Sequence, residues 1–181
     1  MDNKGQGFST FQLLIAAIVA IVILIILLAI LRVIPGISST GDPVQAASDK
    51  LKDASTKLSQ HFKTDIVTFD PGDTMTAKAI VIAAEVGLQE NQLCLSLGDF
   101  ADYGDVWSIS SEYDRVSYKG SASKNVRLSV LCDLGMDLED DIDKYYREDA
   151  GLQPEWVSGC PCVIQHPNDI CCLIALRTAA R

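Results

Sequence analysis

Residues Phe11–Leu31, FQLLIAAIVAIVILIILLAIL, form a run of 21 residues without a charged side chain. The run begins close to the amino terminus. As a helix rising 1.5 Å per residue it would extend roughly 31 Å, about the thickness of the hydrocarbon core of a bilayer. The pattern therefore predicts a long apolar helix over residues 8–34 that crosses a membrane or packs into the core of a filament.

The stretch ahead of this run, KGQGFSTFQLL over residues 4–14, contains a lysine, Gly7 and then the hydrophobic Phe8. It resembles the processing site of type IV pilin-like precursors, the class III signal of bacteria and archaea. The resemblance covers only the amino-terminal segment. It implies that a prepilin peptidase removes a leader over residues 1–7, so that the mature chain begins at Phe8. A cut after Gly5 is the alternative, and it would leave Gln6 to open the mature helix.

The fifth residue of that mature chain would be Gln12, where the pilin family usually has a glutamate. In the family this glutamate pairs with the amino terminus of a neighbouring subunit. The amide of Gln12 can still hydrogen-bond the amine, although without charge assistance. An unpaired buried amide costs roughly 1–3 kcal/mol, so Gln12 is expected to have a partner. The resemblance thus implies assembly with further copies or with other pilin-like subunits.

Other interpretations of the amino terminus remain open: a plain single-pass anchor that keeps its leader, or removal by ordinary signal peptidase. Removal by ordinary signal peptidase is disfavoured because the apolar run is longer than the hydrophobic core of a signal peptide, which has about 7–15 residues. The apolar run has one basic residue on each side, Lys4 before it and Arg32 after it. The distribution of basic residues therefore says little about how the run is oriented in a membrane. The six cysteines all follow residue 90 and favour an extracytoplasmic carboxyl-terminal domain, with the amino terminus in the cytoplasm.

The rest of the chain is acidic. Setting aside Asp2, Lys4 and Arg32 from the totals of 15 basic and 24 acidic residues leaves 13 and 23, a net charge of −10. Binding to a nucleic-acid backbone needs clustered Lys and Arg, so no nucleic-acid partner is expected. The length suits one compact domain with a real core.

Turn-forming residues separate the apolar run from the outer domain. Residues 35–42, beginning with Pro35, are predicted to be a linker. Asp42 as N-cap and Pro43 at the first helical position then predict a stalk helix over 43–62. Its apolar residues follow a spacing of three and four; they are Val44, Ala47, Leu51, Ala54 and Leu58.

Residues 63–181 are predicted to form an extracytoplasmic α+β domain, stabilised by disulfides. We expect a small, mostly antiparallel sheet with helices on one side. The long amino-terminal transmembrane or stem helix would precede it. Helices are predicted over 75–86 and 138–146. Strands or ribbon segments are predicted over 65–69, 93–97, 106–109, 115–118, 126–132, 163–164 and 171–177.

Four of the six cysteines, Cys160, Cys162, Cys171 and Cys172, lie close together near the carboxyl terminus. A zinc or iron–sulfur site is one interpretation, and redox-active thiols are another. Structural disulfides are favoured, because the spacing is not that of paired C-x-x-C motifs and the domain is expected outside the cytoplasm. We predict at least one bridge between the two segments. Cys94 and Cys132 pair with each other or with one of these four. No metal or cofactor is predicted.

Acidic clusters and catalytic motifs give little functional signal. The run 137–143 holds five carboxylates but lacks the calcium-loop pattern, so it is interpreted as the solvated face of a helix. The loop with Asp99, Asp102 and Asp105 is interpreted in the same way. His61 and His166 are the only histidines, and no nucleophile, phosphate-loop or zinc-protease motif is found. We therefore predict that the protein is not an enzyme.

Taken together, the sequence predicts a structural pilin-like or pseudopilin-like subunit of a surface filament or secretion apparatus. It would be anchored in a membrane and assembled through its amino-terminal hydrophobic helix. The alternative is a single-pass, membrane-anchored extracytoplasmic binding domain that is neither processed nor polymerised. Pilin assembly requires removal of the leader, whereas an anchor keeps it.

Overall fold

The computed structural model describes residues 15–16, 18–21, 23, 41–149, 154–157 and 159–179. The chain divides into two compact units, Met1–Ser39 and Thr40–Arg181. In the first unit the described residues between Ile15 and Ile23 are helical, and their large apolar side chains are about half exposed.

The long transmembrane or stem helix predicted over residues 8–34 is the main correction to the fold prediction. Among the described residues, no helix is both long enough and apolar enough to cross a membrane. The α+β class predicted for the rest of the chain agrees with the structure.

The second unit holds the α+β fold. Its elements, in chain order, are α1 (Pro43–Thr56), β1 (His61–Lys63), β2 (Val67–Phe69), β3 (Thr74–Thr76), α2 (Ala77–Ala84), β4 (Leu93–Ser96), β5 (Trp107–Ile109), β6 (Arg115–Tyr118), β7 (Lys124–Leu134), α3 (Gly135–Asp149), α4 (Pro161–Gln165) and β8 (Ile170–Thr178). Short 3₁₀ turns cover Glu90–Gln92, Gly98–Phe100 and Pro154–Trp156.

Helix α1 begins where the sequence predicts. The side chain of Asp42 accepts hydrogen bonds from the backbone N–H of Val44 at 2.9 Å and of Gln45 at 3.5 Å. Its end differs from the predicted residue 62. Lys57 leaves the helical conformation with φ −131° and ψ 72°. Ser59 then adopts a left-handed φ of 61°, and the residues from His61 pair with β7.

Replacing Asp42 with Ala is expected to lower the free energy of unfolding by about 1 kcal/mol, because the first turn loses its side-chain acceptor. Urea denaturation of the full chain measures the change. Asp53→Ala is the matched control on the same helix. Asp53 is exposed, and its carboxylate lies 4.0 Å from the ammonium group of Lys50, which makes a weak surface ion pair. The control should change stability by less than about 0.5 kcal/mol. Equal losses in the two variants would contradict the capping role.

The larger sheet has the strand order β1–β7–β8–β4, and β2 also pairs with β7. Strand β7 is antiparallel to β1, β2 and β8, whereas β4 runs parallel to β8. The sheet is therefore mixed rather than only antiparallel. The parallel pair requires a crossover, and the long segment between β4 and β8 supplies it.

A second sheet, β3–β6–β5, is antiparallel throughout. Trp107 of β5 is its buried centre. The Trp107 ring lies 4.6 Å from that of Tyr118, 5.0 Å from Phe69 and 5.2 Å from Phe100. This aromatic cluster joins the small sheet to the larger one, because Phe69 belongs to β2.

Alternating side chains of β7 and β8 build two cores on opposite faces of the larger sheet. Leu128 and Ile174 belong to the core that includes α1, α2 and the smaller sheet. Leu131 and Leu173 belong to the other core, which also contains Leu138 of α3. Helices thus cover both faces, whereas the sequence led us to expect them on one side.

Two local predictions also change. A strand or ribbon segment was predicted over 163–164, but Pro161–Gln165 is a short helix with Pro161 at its start. Proline fits this position because it has no N–H to donate and its φ is already helical. The helix predicted over 75–86 is shorter, since Thr74–Thr76 forms β3 and Glu85 ends the helix with a φ of 55°.

Candidate functional site

The predicted processing residues Gly7 and Phe8, and the predicted assembly residue Gln12, lie outside the described residues. The second unit carries three features that could form a functional site. These are the disulfides, a cleft beside Asp99 and a pair of carboxyl groups on β7 and α3.

All six cysteines form disulfides: Cys94–Cys160, Cys132–Cys172 and Cys162–Cys171. The predicted bridge between the two carboxyl-terminal segments is confirmed as Cys162–Cys171. Cys94 and Cys132 do not pair with each other, and each takes one of the remaining cysteines. All six cysteines are buried.

Adjacent cysteines can bond to different partners here because successive side chains of a strand point to opposite faces. Cys172 lies directly opposite Cys132 in the β7–β8 register, with their Cα atoms 4.1 Å apart. Cys171 faces the other core and reaches Cys162 of α4. The carboxyl-terminal strand is thus bonded on both of its faces.

The disulfides use the sulfur atoms that a metal site at the cysteines would need. A zinc or iron–sulfur site needs free thiolates, and all six sulfurs are bonded to one another. Within the described ranges, no other group of three or more His, Cys, Asp or Glu side chains is placed to hold a metal ion.

A cleft of about 620 Å³ lies where the parallel strands β4 and β8 end. Its walls come from the turn after β4, the end of β8 and the turn at Pro154–Trp156. The residues that line it include Ser96, Asp99, Asp102, Tyr113, Trp156 and Thr178. The cleft is acidic and partly aromatic.

The sequence interpretation placed Asp99 in a solvated loop, but its side chain points inward. Its Oδ2 atom accepts hydrogen bonds from Nε of Arg177 at 3.2 Å and from the backbone N–H of Thr178 at 3.0 Å. The guanidinium of Arg177 lies 5.6 Å from the centre of the Trp156 ring. Asp99 therefore joins the wall of the cleft to the end of β8.

The third feature is a pair of aspartates, Asp133 of β7 and Asp141 of α3, whose carboxyl groups shift each other's pKa. Burial raises the pKa of Asp141 and the neighbouring Asp133 raises it further, whereas Ser59 and Lys144 oppose the rise. For Asp133, burial opposes ionisation. The neighbouring Asp141 and the hydrogen bonds from Ser59 and the backbone of Leu134 outweigh that effect and lower its pKa. Below, these two residues are called the carboxyl pair.

Sequence reasoning missed the carboxyl pair because Asp141 belongs to an acidic run that was interpreted as the exposed face of a helix. The contact depends on how α3 packs on β7, which local spacing does not specify. His61 was also misplaced at the end of the stalk helix. It lies in β1, where its ring centre is 5.4 Å from that of Tyr145. His166 does lie in the disulfide-flanked turn, 3.4 Å from Asp169.

Comparisons with protein families, with curated proteins and with solved structures found no match for this chain.

Proposed function

We propose that this chain is a pilin-like structural subunit of a surface filament or secretion apparatus. A prepilin peptidase would cut between Gly7 and Phe8, and the acidic domain would lie outside the cytoplasm. The observation that carries the proposal is the sequence itself: a short leader ending in glycine, then Phe8, then 21 uncharged residues at 11–31. The segment would assemble with membrane lipid or with equivalent segments of other subunits.

The disulfides support an exported domain. Three buried bridges involve every cysteine of the chain. Such bridges form and persist in oxidising compartments and are rare in the cytosol. The net charge of −9 fits a soluble surface outside the cell.

The described apolar side chains of the first unit support an assembly role. Ile15, Ile18, Val19, Ile21 and Ile23 are between 46% and 57% exposed in the single chain. Exposed contiguous apolar surface marks an interaction site with lipid or protein. Gln12, which precedes Ile15 by three residues in the sequence, would bind the amino terminus of a neighbouring subunit.

A second candidate function is an anchored extracytoplasmic binding domain that keeps its leader. The cleft of about 620 Å³ beside Asp99 favours it, because its volume lies within the range of small-molecule sites. Leader removal separates the two functions, since an anchor does not need it.

The test is the intact mass of the protein purified from its native cell without reductant. We expect a chain that begins at Phe8 and has lost six hydrogen atoms to three disulfides. Gly7→Leu should abolish cleavage by removing the small residue before the cut, and Gly5→Leu is the matched control that should leave cleavage intact. A native protein that begins at Met1 or Asp2 would exclude the pilin-like function and leave the anchored domain.

Assembly can be tested in the same cells. Gln12→Leu removes the only polar side chain of the apolar run and should reduce the yield of sedimentable assemblies. Gln12→Glu should preserve that yield, because a carboxylate can pair with an amine at least as well. Equal yields from the Leu variant and the unmodified chain would show that Gln12 has no assembly role.

A further inference from the structure

The cleft beside Asp99 opens at the carboxyl ends of the two parallel strands. Ser96 is the last residue of β4, and Thr178 is the last residue of β8. Both residues line the cleft, whose volume of about 620 Å³ is that of a small-molecule site. The cleft lies wholly within the second unit, so an occupant is expected whether or not the leader is removed.

Two aromatic side chains of the cleft are held in place by the surrounding chain. Trp156 is 7% exposed, and the segment that carries it continues to Cys160, which is bonded to Cys94 of β4. Between Trp156 and Cys160, Gly159 lies so close to the hydroxyl of Tyr113 that an added Cβ atom would clash with it. The segment is therefore tied to β4 and packed on Tyr113. A site fixed in this way binds a ligand without first having to order its own walls.

The charges of the cleft are mostly of one sign. Three of the residues that line it are acidic, namely Asp99, Asp102 and Glu155, and none of the described lining residues is basic. Arg177 has a side chain that is 6% exposed, and its Nε atom lies 3.2 Å from Oδ2 of Asp99. Its charge offsets that of Asp99 and leaves the other two carboxylates to set the sign. The cleft therefore favours a positively charged occupant.

Two polar groups of the cleft have hydrogen-bonding capacity that the described residues do not use. Oδ2 of Asp99 accepts from Arg177 and from both the N–H and the hydroxyl of Thr178, whereas Oδ1 accepts none of the described hydrogen bonds. Ser96 is 7% exposed, and its oxygen accepts from the backbone N–H of Gly98 at 3.2 Å. No residue in the described part of the chain accepts the proton of this hydroxyl. Nearly buried polar groups are normally satisfied, so both call for a polar atom in the cleft.

From this geometry we infer that the cleft binds a small organic cation, in which an ammonium group is attached to an apolar or aromatic body. The ammonium group donates to Oδ1 of Asp99, and the exposed carboxylate of Asp102 adds to the attraction at the rim. The body lies against the side chains of Tyr113 and Ile109, and the aromatic rings of Tyr113 and Trp156 attract the positive charge.

A bare metal ion suits the cleft less well than an organic cation. Within the described ranges, no three His, Cys, Asp or Glu side chains are placed to hold one. Calcium takes about six to eight oxygen ligands, and aromatic walls supply none. The aromatic side chains contribute to binding only if the ligand has an apolar part.

Isothermal titration calorimetry of the full chain, purified without reductant in a non-ionic detergent, tests the inference with three matched probes. They are the cation 2-phenylethylammonium, its neutral counterpart 2-phenylethanol and the anion phenylacetate. The cation should bind about tenfold more tightly than the alcohol, because it adds a charge-assisted hydrogen bond and a cation–π contact. Phenylacetate should not bind, and calcium chloride should compete no better than sodium chloride of equal ionic strength. Titration into detergent without protein is the blank.

Asp102→Asn should weaken binding of the cation about fivefold, which is the effect of one carboxylate on a nearby charge at a partly exposed site. Asp105→Asn is the matched control and should leave the affinity unchanged. Asp105 is exposed in the same loop but does not belong to the described lining, and its substitution alters the net charge equally. Urea denaturation checks that both variants fold.

Four results would overturn the inference. They are no binding of the cation, equal binding of the cation and either of the other probes, displacement of the cation by calcium beyond the effect of ionic strength, and equal affinities in Asp102→Asn and Asp105→Asn. The probe series uses the unmodified chain, so it decides the matter even if a variant fails to fold.

Discussion

Replacing both Cys132 and Cys172 with Ala is expected to lower the free energy of unfolding by roughly 4 kcal/mol in the chain-entropy account of a loop this long. The two residues are 40 apart in sequence and lie opposite each other in the central strands β7 and β8. Without the bridge, the unfolded chain regains the freedom of that loop. Urea denaturation under non-reducing conditions measures the change.

The matched control is the pair Cys162→Ala and Cys171→Ala, whose bridge closes a loop with a separation of only 9. Its removal should cost roughly 3 kcal/mol by the same account. The two bridges differ in position as well, because Cys162 lies on the short helix α4 rather than in a strand. A larger loss from the α4 bridge than from the strand bridge would contradict the expected order.

The disulfides illustrate what the sequence could and could not specify. An even number of cysteines and an expected exported domain predict disulfides, and the short sequence separation of the two carboxyl-terminal cysteine segments predicts at least one bridge between them, without its exact partners. Cys132–Cys172 was not foreseeable, because it depends on β7 and β8 being neighbours. Strand order is a tertiary property, and the same uncertainty concealed the parallel pairing of β4 with β8.

Local signals explain the other successes and failures. Asp42 followed by Pro43 is a local signal for the start of a helix, and helix α1 begins at Pro43 as predicted. Pro161 carried the same first-turn signal, but the neighbouring cysteines were interpreted as a ribbon, so the short helix α4 was missed. Ser59 had no such signal, since serine rarely adopts the left-handed conformation found there.

The cleft beside Asp99 also depends on a conformation that the sequence did not indicate. Gly98 has a φ of 52°, which lets the chain turn sharply after β4 and directs Asp99 towards β8. A glycine in a loop is compatible with many conformations, so only the folded neighbours show why it is needed. Here the neighbour is the buried backbone of Leu176 in β8.

Gly98→Ala is therefore expected to lower the free energy of unfolding by about 3 kcal/mol or more. A Cβ atom at this position would clash with the carbonyl oxygen of Leu176 and lie 3.2 Å from its carbonyl carbon. The left-handed φ adds roughly 1–2 kcal/mol for a residue with a side chain, and forced movement of a packed strand adds a similar amount. The clash involves backbone in the centre of the sheet, so no flexible side chain can move aside.

Gly104→Ala is the matched control, because Gly104 lies in the same loop with nothing within 4 Å of its added Cβ atom. Its stability should change by less than about 0.5 kcal/mol. Urea denaturation of the two variants and the unmodified chain decides the matter. If Gly98→Ala were as stable as Gly104→Ala, the close approach of this turn to β8 would be wrong, and with it the placement of Asp99 in the wall of the cleft.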